Sequence, residues 1–260
     1  MKNKTKLPNV YLGLITFLMY VPIIVTVVYS FNLSKISSIW GGFSLTWYQE
    51  LFQDEDLGVA LRNSLIIAVI SCLLAAVIGT LGAYGMIKIK SKPNKIIEYI
   101  SIVPIMIPEI ILGMVFLAVF SFIDLPFGML TLIIAHTTFC VPYVLLNVKA
   151  RLMGMDKSYE EAALDLGASK RRTFFDIILP LISPAIMSGV LLAFAMSFDD
   201  VVISIFVTGP QVNTLPIKIY TKMKTGVTPE INALATLMLI VTIILVFLSY
   251  KIGKKGLNKK

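Results

Sequence analysis

Six apolar runs limit what this chain can become. Residues 10–31, 63–87, 97–122, 125–148, 181–207 and 231–250 are almost free of charge. Each reaches the roughly 20 residues that an α-helix needs to cross the hydrocarbon core of a bilayer. Backbone in hydrocarbon must satisfy its own hydrogen bonds, and runs of this length do so as helices. The expected fold class is therefore all-α integral membrane protein, with six transmembrane helices in one domain spanning 1–260. Of 260 residues, 57% are apolar and 15% charged, too little polar surface for a soluble fold of this length. The formal charge of +8 does not point to nucleic acid as a partner, because the cations fall in short clusters between apolar runs. Membrane lipid is the expected surrounding.

Those clusters orient the chain. Lys2, Lys4 and Lys6 precede the first run, and Lys88, Lys90, Lys92 and Lys95 follow the second. Lys149, Arg151, Lys157, Lys170, Arg171 and Arg172 follow the fourth, and Lys251, Lys254, Lys255, Lys259 and Lys260 follow the sixth. Eighteen of the 23 Lys and Arg residues thus share one side, which the positive-inside rule makes cytoplasmic. Both termini are expected there. The basic stretch before the first run resembles the start of a signal peptide, but the run is too long and lacks a small-residue cleavage site, so a retained anchor is expected. Lys35, Arg62, Lys218, Lys222 and Lys224 fall on the other side. Lys218, Lys222 and Lys224 are either a solvated outer face or a landing site for an acidic partner. Cys72 and Cys140 sit within apolar runs and read as small packing residues. Pro104 and Pro108 are expected to bend the third run. Gly79, Gly82 and Gly85 are expected to allow close helix approach.

The long basic loop, 156–180, carries a pattern of its own. Ser158 and Glu161 fit a capping box, and Tyr159, Ala162, Ala163 and Leu166 fall on one helical face. Gly167 suits a positive-φ helix stop, Ser169 caps a second helix from Lys170 to Leu179, and Pro180 marks the passage into the fifth run. Such an elbow either tucks against the bilayer or offers a handle to a soluble partner.

Glu161-Ala162-Ala163, then Gly167, then Ile177 and Leu179-Pro180 resemble the EAA motif of type I ABC importer permeases at the family's spacing. Phe43-Ser44-Leu45-Thr46-Trp47-Tyr48, Ser197-Phe198-Asp199-Asp200 and Val207-Thr208-Gly209-Pro210 resemble the spermidine/putrescine permeases within that family. The resemblance implies a MetI-like permease fold in a bacterial cell membrane. It implies a coupling helix whose Glu161, Ala162, Ala163 and Gly167 dock into an ATPase subunit. It also implies the partners: a homodimeric ATPase, a second related permease and an extracytoplasmic polyamine-binding protein. The chain has no G-x-x-x-x-G-K-[ST] phosphate loop of its own. It is thus expected to bind no cofactor and to be no enzyme, with ATP-Mg used by the partner ATPase.

Glu109, Asp199 and Asp200 lie within the runs, where carboxylates are costly and face a bundle interior or a wet cavity. Two readings stand: interhelical hydrogen bonding, or a path for a cationic cargo. Adjacent helical residues point about 100° apart, so Asp199 and Asp200 can share one narrow path only if the helix breaks there. His136 is a candidate partner for them. Phe139, Tyr143, Phe194, Phe198 and Phe206 are candidate contacts for a cargo of ammonium groups joined by methylenes. Ferric iron or another small solute is the alternative cargo. An ion-coupled secondary carrier using the three carboxylates as relays is the alternative class.

Overall fold

The computed structural model describes residues 6–35, 39–89, 93–224, 226 and 228–257. Lys2, Lys4, Lys90, Lys92, Lys259 and Lys260, which belong to the charge pattern, lie outside the described residues. In chain order the helices are α1 Lys6–Tyr29, α2 Thr46–Gln53, α3 Glu55–Lys88, α4 Pro93–Met106, α5 Glu109–Phe122, α6 Met129–Met153, α7 Ser158–Asp165, α8 Lys170–Thr173, α9 Leu179–Asp199, α10 Val202–Val207, α11 Leu215–Lys224 and α12 Pro229–Leu257. A π-helical turn, Phe174–Ile178, joins α8 to α9.

Among the described residues, four helical stretches are long and apolar enough to cross a membrane: Pro8–Tyr29, Glu55–Lys88, Met129–Met153 and Lys170–Asp199. The third apolar run is not straight. Ile96–Met106 and Glu109–Phe122 meet at 109°. The cause is Pro108, which takes an extended backbone (φ −53°, ψ 133°) at the start of α5 and disfavours helix in the residue before it. Pro104 stays inside α4 without ending it. The fifth run is broken as well. Its helix stops at Asp199, Asp200 is extended (φ −68°, ψ 122°), and α10 follows. The sixth run begins in α12, whose stretch Pro229–Ile244 is apolar.

The chain divides into two compact units, Met1–Gly58 with Lys218–Ile243, and Val59–Ile217 with Ile244–Lys260. In the first, the buried Asn32 organises the turn after α1. Its carboxamide donates to the Ile39 carbonyl (2.7 Å) and accepts from Gly41 N–H (2.8 Å). Its own carbonyl accepts from the Trp47 indole at 2.6 Å. Lys218 pairs with Asp56 at 3.0 Å, and Lys222 with Asp54 at 3.3 Å and with Glu230. Lys224 lies over the Tyr220 ring. Two of the three lysines considered as a landing site for an acidic partner therefore already hold acids of this chain.

In the second unit, α6 is the centre of the core. Gly79 of α3 and Gly189 of α9 both press on Val144. A methyl at Gly79 would lie 2.9 Å from Val144 Cβ, and one at Gly189 would lie 2.8 Å from Val144 Cα. Helices can approach this closely only where no side chain intervenes. Of the three glycines expected to permit it, only Gly79 is so constrained. Gly82 has an ordinary contact with Leu145, and Gly85 has open space. Gly113 of α5 takes the Phe206 ring of α10 in the same way, at 2.5 Å from a would-be methyl.

Candidate functional site

The elbow forms as a helix, a glycine turn and a second helix. Ser158 is not its cap. It is the first helical residue, and the Asp156 carboxylate accepts the Ser158 N–H at 3.0 Å. That bond holds the Asp156 carboxyl below the usual carboxylate range. Lys157 holds the cap position without a side-chain bond, and Asp156 just before it satisfies an N–H of the first turn, where such groups have no helical partner. At the other end Gly167 has φ +83°. Gly167 N–H reaches the Leu164 carbonyl (2.9 Å) and Ala168 N–H the Ala163 carbonyl (3.0 Å), a complete Schellman stop. Ser169 Oγ accepts from Arg172 N–H at 3.3 Å and starts α8.

Pro180 does not interrupt the chain's return. The wider π turn at Phe174–Ile178 comes just before it, with Leu179 N–H bonded to the Phe174 carbonyl five residues back. That widening accommodates a ring that would otherwise clash with the preceding turn. The helix therefore runs unbroken from Lys170 to Asp199.

No residue of α7 is buried. Leu166 is 90% exposed and Tyr159 51%, and Glu161, Ala162 and Gly167 are exposed beside them. The elbow is held from behind. Glu160 pairs with Lys88 at the end of α3, and the ring of Tyr84 of α3 packs at a tilt against Phe174 of the π turn, 4.7 Å between centroids. Arg151 Nε donates to the Leu181 carbonyl at 3.3 Å. Glu160 and Lys88 are half-buried to exposed members of a cavity of about 520 Å³ that Tyr84, Leu152 and Leu164 also line.

The break in the fifth run separates the two aspartates. Asp200 is buried and serves the protein. Its Oδ1 accepts Ile203 N–H (3.2 Å), and its Oδ2 accepts Ser204 N–H and Ser204 O–H (both 2.8 Å). It thus caps α10, where a carboxylate is well matched to free N–H groups. His136 Nε2 lies 3.5 Å from the same Oδ2 and 3.0 Å from Ser204 Oγ, and His136 Nδ1 lies 2.7 Å from Ser197 Oγ. His136 is accordingly the partner the sequence suggested, but for Asp200 alone.

Asp199 is exposed and makes no hydrogen bond or ion pair with the described residues. Glu109 is exposed too, at the first position of α5, one turn before Gly113 meets Phe206. No contact brings Glu109 together with either aspartate among the described residues. Of the five candidate aromatics, Phe139 and Phe198 are buried, Phe139 beside His136 at 5.1 Å. Tyr143, Phe194 and Phe206 are partly exposed. Sequence reading missed Ser197 and Ser204. Their signal was available, since two small hydroxyls bracket the aspartate pair.

Residues 75–259 match the family described as binding-protein-dependent transport system inner membrane component. The chain is 40% identical over 250 residues to the spermidine/putrescine transport system permease protein PotC of Haemophilus influenzae, covering 96% of this chain and 97% of that one. It is 43% identical over 231 residues to the putrescine transport system permease protein PotI of Escherichia coli strain K12, covering 86% and 82%. Among solved structures, it is similar to a chain of a bacterial ABC transporter involved in the import of the acidic polysaccharide alginate (TM-score 0.73, 16% identity, 96% and 94% covered). It is also similar to one from the inward facing MetNI methionine ABC transporter (TM-score 0.66, 16% identity, 78% and 98% covered). At these identities the likeness concerns the fold, that of ABC importer permeases. This chain therefore belongs to the family of binding-protein-dependent transport system inner membrane components, as a multi-pass subunit of a bacterial inner membrane.

Proposed function

We propose that this chain is a permease subunit of an ATP-driven importer of polyamines, spermidine or putrescine. The observation that carries the cargo is the 40–43% identity, over most of the chain, to permeases named for those compounds. Two exposed carboxylates with no hydrogen bond or ion pair among the described residues support it. Asp199 and Glu109 each stand at a helix break, where a cargo of separated ammonium groups finds acceptors without a resident cation to displace. Asp200 contributes by shaping the break that presents Asp199. The partly exposed rings of Tyr143, Phe194 and Phe206 suit methylenes and ammonium faces.

The exposed elbow supports docking of a separate ATPase through Glu161, Ala162, Ala163 and Gly167. A homodimeric ATPase using ATP-Mg, a second permease and an extracytoplasmic binding protein complete the importer in this reading. The chain crosses six times with both termini in the cytoplasm, and it moves cargo by alternating access without catalysing a reaction itself.

The test is uptake of labelled spermidine and putrescine in a transporter-null cell that expresses the whole set of subunits. ATP-dependent uptake that survives a proton ionophore is the expected result. Uptake of ferric iron or another solute in place of polyamines refutes the cargo. Uptake abolished by the ionophore while ATP is maintained refutes the class.

A further inference from the structure

α6 contacts the fifth span on both sides of its break. Thr131, His136 and Cys140 of α6 all reach it. Thr131 Oγ1 lies 2.8 Å from the Val207 carbonyl at the end of α10, and Cys140 Sγ lies 3.5 Å from the Ala193 carbonyl of α9. Between them, the His136 ring reaches Ser197 of α9 with one nitrogen and Ser204 of α10 with the other. It is 1% exposed.

Donor accounting assigns the ring's roles. Ser204 has one hydroxyl proton, and it goes to Asp200 Oδ2. His136 Nε2 must then donate to Ser204 Oγ, which leaves Nδ1 to accept from the Ser197 hydroxyl. Every polar atom of the cluster is used, and each use depends on the break. A continuous helix through Asp200 and Val201 is the competing state. It would give the Ile203 and Ser204 N–H groups to backbone carbonyls and leave the Asp200 carboxylate, both serines and the ring to find other partners in a dry interior.

We propose that His136 is a positioning residue: its imidazole joins the two halves of the fifth span across the break and thereby holds the Asp199 carboxylate free of the helix ends. Its link to cargo rests on the reading of Asp199 given above, but its geometry does not. The ring touches no cargo. It acts by selecting the broken helix over the straight one, which sets where residue 199 points.

The experiment follows accessibility at residue 199 rather than transport alone. In the assembled importer in nanodiscs, Cys72 and Cys140 are replaced by Ala and Asp199 by Cys. The rate of modification of that thiol by a cationic thiosulfonate is then read by mass spectrometry of this chain. His136→Leu is expected to change the rate tenfold or more, whereas His136→Gln, whose amide both donates and accepts, stays within threefold of His136. Equal rates with His136 and Leu overturn the proposal. If the Leu variant does not assemble, Ser197→Ala removes one arm only and is expected to change the rate about threefold. An unchanged rate there overturns the proposal equally. A cargo other than polyamines, found by uptake, would leave these rates as expected, so failure of the cargo reading and failure of the positioning role are separable.

Discussion

Replacing each aspartate of the pair by alanine should separate a structural carboxylate from one proposed to meet cargo. Asp200→Ala removes three hydrogen bonds, to Ile203 N–H, Ser204 N–H and Ser204 O–H. Loss of a helix cap costs about 1 kcal/mol, and a stranded buried donor adds about 1–3 kcal/mol. The sum is roughly 2–4 kcal/mol, or a fall in melting midpoint of roughly 4–15 °C for a chain of this size. Asp199→Ala removes no such bond, and exposed substitutions of that kind stay within about 0.5 kcal/mol. Its effect falls on cargo instead. A hydrogen bond between a carboxylate and an ammonium contributes about 1.5–3 kcal/mol, so uptake should fall by about tenfold or more. The assay pairs a thermal melt of the purified importer with uptake of labelled spermidine. A cold-shifted melt for Asp199→Ala with an unshifted one for Asp200→Ala would refute the division of roles.

Three further outcomes are expected. Glu161→Lys, on the exposed face of α7, should abolish ATPase co-purification while the chain still inserts, as checked by pull-down and membrane fractionation. Lys88→Glu should lower transport by breaking the pair that holds the elbow to α3, and adding Glu160→Lys should restore at least half of it; no recovery in the double variant would count against that strap. For the Asp54–Lys222–Glu230 cluster, burial raises the Asp54 pKa, but the Leu57 N–H bond and Lys222 together outweigh it and set it below 3.8. Burial likewise lowers that of Lys222, but Glu230 and Asp54 raise it above 10.5. A depressed acid stabilises the fold above its unfolded pKa and loses that contribution as pH falls through the folded one. A raised lysine stabilises it below 10.5 and loses that contribution as pH rises further. Protection of the α2–α3 junction from hydrogen exchange, corrected for intrinsic rates, should therefore be flat from about pH 5 to 9 and decline only outside that window.

The apolar runs made the helical class legible, since length and charge-free composition admit little else. The turn chemistry of the elbow was legible too, because Gly167 acts through its own backbone and Ser169 through a hydroxyl that bonds a backbone N–H three residues on. The cap was misplaced by one residue, since Lys157 precedes the helix and the Asp156 carboxylate takes the N–H of Ser158; only the local path of the chain decides which oxygen reaches the first turn. The break at Asp200 was posed in the sequence as a condition, not as an expectation. No proline or glycine marks it; the break depends on hydroxyls at Ser197 and Ser204 meeting a ring from α6. The pressure of Gly189 on Val144 was hidden for the same reason, as it depends on which helix lies opposite.

The distance between the elbow and Asp199 ties these features together. Lys170–Asp199 is 30 residues of continuous helix, a rod of about 45 Å at 1.5 Å per residue. A helix of that length without a break passes displacement from one end to the other with little loss, while a break lets the two sides rotate independently. The chain has no break near the elbow, where Pro180 invites one, and has one immediately after Asp199, where the sequence marks none. In the proposed function, movement imposed at α7 and α8 is delivered along this rod to Asp199. Beyond it, Thr131 bonds the end of α10 to α6, and His136 reaches both α9 and α10. The ring proposed to position Asp199 bonds Ser197 of α9 as well as Ser204 of α10, so in that proposal it also limits how far such a movement travels.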